Sequence, residues 1–177
     1  MKKLLSKIGV LGAAGMLLLL AGCFIVSGTF TIEKSFSFPV QAGLYHYLAD
    51  VTDEQDWIDH KDDIDNIDGV GYDIWFTNYG ADDVTFNIWV DGADEPEYLT
   101  FAQVNDSTTK ILDNLTLPPG QTHLTYGNSF GYIQNVETIR TLGMTGKFHM
   151  YGASKTGTGG PFAVDSGKVI FTFTGHK

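Results

Sequence analysis

The sequence predicts an all-β protein, an antiparallel β-sandwich with one or two short helices. Segments in which apolar and polar residues alternate recur along the chain, and turn-forming residues separate them. Only two stretches have a helical pattern. Many short strands between turn signals are typical of a sandwich or a barrel. The 12 Phe, 8 Tyr and 3 Trp are too many for a disordered chain and supply a core.

The first strand is predicted within residues 25–40. There, Ile32, Phe36 and Phe38 fall on one side of the strand, and polar residues occupy the other side. This period of two residues is that of a strand with one buried face. Since strand character begins so early, the sequence leaves almost no linker before the domain.

A short helix is predicted from Asp53 to Asp63. Thr52 and Gln55 stand at the spacing of a capping box, and acidic residues fill the first turn, where the helix dipole favours them. Trp57 and Ile64 lie seven residues apart and begin an apolar face. We therefore expect this helix to pack through Trp57.

Two strands are predicted on either side of a polar turn. They run over 72–77 and 84–90, and the turn between them, 78–83, contains Asn78 and Gly80. Such residues supply the backbone geometry of a hairpin connection, so we expect the two strands to pair. This unit resembles those of immunoglobulin-like, fibronectin type III-like and late-embryogenesis-type sandwich domains in broad architecture. The resemblance covers about 20 residues, and we carry no functional residue over from it.

The remaining elements follow from the same patterns. A second helix is predicted from Gln134 to Leu142, ending at Gly143, and a mobile loop is predicted at 157–161. The turn at 118–120 separates two of the remaining strands. These strands are predicted at Tyr98–Val104, Thr108–Leu117, Thr122–Tyr126, Gly146–Tyr151 and Lys168–Thr174.

The N-terminus has the pattern of a secretory leader. Three lysines precede an apolar stretch from Ile8 to Leu20, and small residues then lead to Cys23, the chain's single cysteine. The run Leu20-Ala21-Gly22-Cys23 resembles the lipobox of bacterial lipoproteins. The resemblance implies that the Cys23 sulfur is diacylated and that residues 1–22 are removed as a signal peptide. Residues 23–177 then form one domain, held to the membrane through lipid on Cys23.

Two other interpretations of this segment stay open. Ile8 to Val26 is about long enough for an uncleaved membrane anchor, since a spanning helix takes about 20 apolar residues. A cleaved, secreted protein without lipid is the other. In the lipoprotein interpretation, Phe24 follows Cys23 where an Asp would retain the protein at the inner membrane. The resemblance therefore implies the outer membrane in an organism that has two membranes.

Charge excludes one class of partner. Removal of residues 1–22 leaves eight basic and 21 acidic residues, a net charge of −13. Such a surface repels phosphate backbones, so we expect no nucleic-acid partner. With Cys23 acylated, no disulfide can form, and the domain depends on its core or on a bound ion.

Acidic residues concentrate in the segment from Asp50 to Glu97, which contains 16 of the 21 acidic residues of the chain. Lys61 is the only Lys or Arg in that segment. Crowded carboxylates repel one another unless they are solvated, protonated or neutralised by a cation. Calcium, which takes six to eight oxygen ligands, is the candidate cofactor. The segment does not fit the EF-hand pattern, and a solvated acidic surface is the alternative. The candidate ligands are Asp59, Asp62, Asp63, Asp65 and Asp68.

Trp75 and Trp89 are candidate ligand-stacking residues. They lie on the two strands of the predicted hairpin, where they would face the same side of one sheet. Stacking on a sugar is one role for such a pair. The alternative is that both belong to the core, since aromatic side chains dominate core energetics.

A serine-hydrolase pattern is also present. Gly127-Asn128-Ser129-Phe130-Gly131 matches the nucleophile elbow, and Asp165 and His176 follow in the order of α/β-hydrolases. The chain lacks the alternating strands and helices of that fold, and only 46 residues follow Gly131. A Gly/Ser turn is the better interpretation. The five histidines show no zinc-binding spacing.

These observations predict a lipoprotein of the cell envelope with a binding or structural domain that is not an enzyme. The ligand or partner of that domain is not identified by the sequence. The first alternative is a calcium-dependent adhesion or carbohydrate-binding module that uses the acidic segment 50–68. The second alternative is a lipid-anchored hydrolase that uses Ser129.

Overall fold

The residues that the structure describes form eight strands and four short helices. The computed structural model describes residues 27–41, 43–154 and 161–176. Cys23, the leader and residues 157–160 of the predicted loop lie outside these residues. The strands are β1 Ser27–Gln41, β2 Leu44–Asp50, β3 Ile64–Asn78, β4 Val84–Gly92, β5 Thr109–Leu117, β6 Gly120–Leu124, β7 Lys147–Ser154 and β8 Phe162–His176. The helices are α1 Gln55–His60, α2 Phe101–Ser107, α3 Tyr126–Ser129 and α4 Val136–Thr145.

The strands form two four-stranded sheets that confirm the predicted all-β antiparallel sandwich. The first sheet has the order β1-β8-β3-β6, and the second has the order β2-β7-β4-β5. All neighbouring strands within the sheets are antiparallel. This is the strand order of a jelly roll, an eight-stranded double sheet built from two Greek keys.

The predicted hairpin of 72–77 and 84–90 does not form. Strand β3 pairs with β8 and β6, whereas β4 pairs with β7 and β5 in the other sheet. The turn at 78–83 therefore crosses between the sheets. Asn78 holds this crossing, because its Nδ2 donates to the Asp82 and Leu117 carbonyls at 2.8 and 2.9 Å. Its Oδ1 also accepts from the Gly80 amide.

The core lies between the sheets. Ile32, Phe36 and Phe38 point into it, as the alternation in the first strand predicts. Aromatic rings join the two sheets edge to face. Phe76 of β3 lies 5.0 Å from Phe86 of β4, between ring centroids. Such contacts stabilise a core beyond the area that they bury.

The predicted strand Tyr98–Val104 is wrong, because Phe101–Ser107 is helix α2. Thr100 and Gln103 form a reciprocal capping box, in which each side chain accepts from the backbone amide of the other residue. The capping box favours a helix start at this position. Val104 is buried, so α2 packs on the outer face of the second sheet.

The other two helices differ from prediction at their ends. Helix α1 is shorter than Asp53–Asp63, and the strand β3 already begins at Ile64. Helix α4 continues past Gly143 to a left-handed Gly146. Gly143 lies inside this helix. Glycine is required there because an added Cβ would meet the Ile67 and Phe171 side chains at 2.7 Å. It permits close packing of α4 on the sheet and does not end the helix.

Candidate functional site

A groove of about 540 Å³ crosses the outer face of the first sheet. Its lining comes from residues 35–37 of β1, from Asp73 and Trp75 of β3, and from residues 165–168 of β8. Ligand pockets in proteins fall in this size range. We call it the Trp75 groove.

A β-bulge in the central strand β8 shapes the groove. Opposite β3, the register passes from Trp75–Ser166 to Phe76–Val164, so β8 contains one extra residue. Asp165 and Ser166 are consecutive, and both side chains are exposed. Regular strands place such neighbours on opposite faces. The bulge therefore brings an additional polar group to the outer face, as bulges beside functional sites do.

Trp75 forms the aromatic wall of the groove. Its side chain is 38% exposed, and its ring stacks on His123 of β6 at 4.0 Å and 8°. His123 Nε2 lies 3.0 Å from Asp73 Oδ1. Since His123 does not line the groove, it supports the indole from outside. A fixed, exposed aromatic face beside a polar groove is what a stacking site requires.

Polar groups complete the lining. Asp165 accepts from Thr77 Oγ1 at 2.6 Å, which fixes the carboxylate in the bulge. Lys168 Nζ lies 2.6 Å from Glu33 Oε2, and this contact raises the pKa of the lysine. The groove thus offers hydroxyls, carboxylates and an ammonium near one aromatic face. Such a set binds the apolar side of a ligand by stacking and its polar groups by hydrogen bonds.

Trp89, the second predicted stacking residue, does not line the groove. It lies in the other sheet and is only 1% exposed. Phe101 covers it edge-on, with ring centroids 5.7 Å apart, and Val104 and Tyr151 belong to the same apolar cluster. The structure therefore does not bring the two tryptophans together, because β3 and β4 belong to different sheets. Trp89 is a core residue.

The predicted calcium ligands separate into two places. Asp59 and Asp62 lie on and just after α1, where Asp59 accepts from Gln55 Nε2 at 2.8 Å. Both side chains are exposed. Within the part of the chain that the structure describes, no group of three or more His, Cys, Asp or Glu is placed to hold a metal ion. Calcium binding stays a prediction.

The other three predicted ligands lie beside the C-terminal end of β8. Asp65 Oδ2 contacts His176 Nδ1 at 2.5 Å, and this pairing raises the pKa of His176. Asp68 accepts from the Thr174 hydroxyl. The Asp63 carbonyl accepts from the His176 amide at 3.0 Å. These contacts join β3 to β8, which gives two of the carboxylates a structural role.

The three residues of the predicted hydrolase triad are not brought together. Ser129 is fully buried, and its Oγ donates to the Tyr126 carbonyl at 2.7 Å while it accepts from the Tyr72 amide. Asp165 lies in the Trp75 groove, and His176 pairs with an aspartate of β3. The Ser129 hydroxyl therefore fastens α3 to β3 and is not offered to a substrate.

Sequence reasoning missed one cluster. His46 of β2 and His149 of β7 face each other, with Nε2 and Nδ1 2.8 Å apart. The two residues are 103 positions apart, and no spacing rule joins them. Only the pairing of β2 with β7 places them on one face.

Comparison with known proteins leaves the family open. No family model matches the chain, and no curated protein matches it. Among solved structures, it is similar to a chain of turnip yellow mosaic virus with a TM-score of 0.38 and 8% identity, over 88% of this chain and 83% of that one. A second structure of the same virus gives a TM-score of 0.34 and 10% identity, over 85% and 94%. No helix in the described ranges is long and apolar enough to cross a bilayer.

Proposed function

We propose that the chain is a lipoprotein of the bacterial cell envelope that binds a glycan in the Trp75 groove and catalyses no reaction. The lipobox-like run that ends at Cys23 supports the anchor. The exposed indole in a polar groove supports the ligand class. This proposal joins the predicted non-catalytic binding domain to the predicted carbohydrate-binding alternative, with a different site.

The single observation that carries the ligand class is the setting of Trp75. One side of a pyranose ring presents C–H groups, and its hydroxyls project around the rim. An indole held flat by His123 matches the C–H side. The hydroxyls then reach Asp73 and Asp165, which accept hydrogen bonds, and the serines of the groove, which both donate and accept.

The charges of the groove and of the domain narrow the class of glycan further. Two aspartates line the groove, and the ammonium of Lys168 is already paired with Glu33. The domain as a whole carries a strong negative charge. Acidic glycans are repelled by such a surface, and neutral or amino sugars are favoured.

Replacement of Trp75 by alanine is expected to weaken glycan binding about tenfold or more, since a central aromatic contact contributes about 2 kcal/mol. The full chain in detergent micelles is first screened on an array of neutral and amino-sugar oligosaccharides. Calorimetry with the best binder then compares the wild type with Trp75→Ala. Tyr79→Ala is the matched control, because Tyr79 is 57% exposed and lies outside the groove. Equal affinity in Trp75→Ala and wild type would exclude the groove as the binding site.

The anchor is tested by the intact mass of the protein from bacterial membranes. We expect the wild type to have the mass of residues 23–177 plus two or three acyl chains. Cys23→Ser is expected to keep residues 1–22 and to carry no acyl chain, because the modified sulfur is missing. Phe24→Ala serves as the control and is expected to be processed like the wild type. A wild-type mass that includes residues 1–22 would support the uncleaved anchor.

A further inference from the structure

The histidine pair lies on the outer face of the second sheet, away from the Trp75 groove. In the register of β2 and β7, His46 is opposite Tyr151 and His149 is opposite Leu48. The two histidines are therefore diagonal neighbours on one face, and their rings lie 4.9 Å apart. The His46 ring also stacks on Tyr151.

The outer nitrogen of each ring contacts one segment of chain. His46 Nδ1 lies 3.1 Å from Glu97 Oε1, and His149 Nε2 lies 3.2 Å from the Glu95 carbonyl. Both acceptors belong to residues 93–100, the irregular connection between β4 and α2, which we call the clasp segment. The Tyr98 amide also donates to the Tyr151 hydroxyl at 3.1 Å.

The number of protons in this chain of contacts decides how many hydrogen bonds form. A carboxylate and a carbonyl only accept, so each outer ring nitrogen must carry a hydrogen to bond them. The contact between His46 and His149 needs one hydrogen more. Two neutral imidazoles carry two hydrogens in total. A neutral pair therefore forms only two of the three hydrogen bonds, and a pair with one added proton forms all three.

We propose that the clasp segment is a pH-sensitive cover that one added proton on the His46–His149 pair fastens to the second sheet. With that proton, the chain from Glu97 through His46 and His149 to the Glu95 carbonyl is complete. When the proton leaves, one of the three contacts sets two lone pairs against each other, and the chain of hydrogen bonds from Glu97 to the Glu95 carbonyl is broken. The clasp segment is then held less firmly to the second sheet.

The surroundings of the pair agree with one added proton and oppose a second. Burial, together with the facing His149, lowers the pKa of His46 and outweighs the opposite effect of Glu97. The acidic groups around the pair favour this single charge. The titratable and charged groups that face the pair lie on three elements. They are Glu95, Glu97 and Tyr98 of the clasp segment, Asp91 of β4, and Lys147 and Tyr151 of β7, with Lys147 paired to Asp50.

The direction of the pH dependence follows from the linkage between proton binding and closure of the clasp segment. The closed segment binds a proton that the open segment does not need, so closure is favoured as pH falls through the range where imidazoles titrate. Closure is lost as pH rises through that range. Opening exposes Tyr151 and the edge of the apolar cluster around Trp89. The clasp segment thus covers an aromatic surface at low pH and exposes it at high pH.

Backbone amide hydrogen exchange of the clasp segment tests this proposal on the full chain in detergent micelles. After correction for intrinsic exchange, we expect protection to rise about tenfold between about pH 8 and pH 5.5, the size of effect that a charge-assisted hydrogen bond produces. His149→Gln keeps an amide donor but takes up no proton, and its protection is expected to be independent of pH. Glu97→Gln changes an exposed side chain and is expected to reduce the dependence without unfolding the protein.

His176→Gln is the matched control, because it removes a histidine paired to a carboxylate outside the clasp. It is expected to keep the full pH dependence. The proposal is wrong if protection in the wild type does not change with pH, or if Glu97→Gln and His149→Gln both keep the wild-type profile. It is also wrong if Zn²⁺ at constant pH closes the segment and protons do not, because the pair would then be a metal site.

Discussion

Replacing Trp89 by alanine is expected to lower the free energy of unfolding by about 3–5 kcal/mol, as large-to-small changes at buried aromatics do. Trp89 is 1% exposed and packs under Phe101 of α2. Lys110 Nζ also lies 5.5 Å from its ring centroid. Removal of the indole leaves a cavity between the second sheet and α2 and loosens the capped helix. Urea unfolding of the full chain in detergent, followed by circular dichroism, measures the loss.

Trp75→Ala is the matched control for this prediction. The same substitution at Trp75 removes an exposed ring that contacts His123 and the groove. We expect a change within about 1 kcal/mol, since exposed side chains contribute little to stability. Equal losses in the two variants would contradict the assignment of Trp89 to the core and Trp75 to a binding surface.

Replacing Asn78 by alanine is expected to cost about 2–4 kcal/mol, because carbonyls left without donors in a buried site lose hydrogen bonds that water does not replace. Asn78 is 2% exposed. Its amide donates to two carbonyls, at Asp82 and Leu117, and thereby ties the crossing between the sheets to the edge strand β5. The shift of the urea midpoint at constant slope measures the loss.

Asn66→Ala separates this effect from the general cost of losing an asparagine. Asn66 is exposed, and its amide makes one long contact of 3.3 Å with Asp68. We expect a change of about 0.5 kcal/mol or less. A loss below 1 kcal/mol in Asn78→Ala would show that the crossing does not depend on its hydrogen bonds.

Local patterns predicted most of the strands. The alternation of Ile32, Phe36 and Phe38 identified the buried face of β1, because a side chain's face depends only on its position along a strand. Turn residues likewise marked the end of β3 at Asn78. The fold class follows from such local signals.

Sheet partners did not follow from those signals. The segment 78–83 has the composition of a hairpin turn. The choice between pairing β3 with β4 and pairing it with β8, however, depends on contacts between residues that are 84 to 111 positions apart, from Asn78–Phe162 to Ile64–Gly175. The helix at 101–107 is a different case. Thr100 and Gln103 form a capping box, which is a local signal for a helix that the predicted strand at Tyr98–Val104 did not take into account.

The sequence predicted only part of the candidate site, because the site depends on long-range strand pairing as well as on local signals. Trp75 was a candidate because of its residue type and its place on a predicted strand, but its groove depends on a bulge in β8, which no residue near Trp75 encodes. Trp89 had equal support from the sequence and is buried, since only the docking of α2 decides its exposure. His46 and His149 carried no signal at all, because their contact arises from the pairing of β2 with β7.

Strand β1 also sets the distance between the N-terminal end of the domain and the Trp75 groove. It begins at Ser27, four residues after the proposed lipid on Cys23, and reaches the Trp75 groove at Ser35–Ser37. At about 3.3 Å per residue, the groove lies about 30 Å along the strand from Ser27. If the proposed lipid on Cys23 holds the Ser27 end of β1 at the bilayer, the proposed ligand would be met away from the lipid headgroups. A neutral or amino-sugar polymer that stands above the bilayer would then be within reach of the groove.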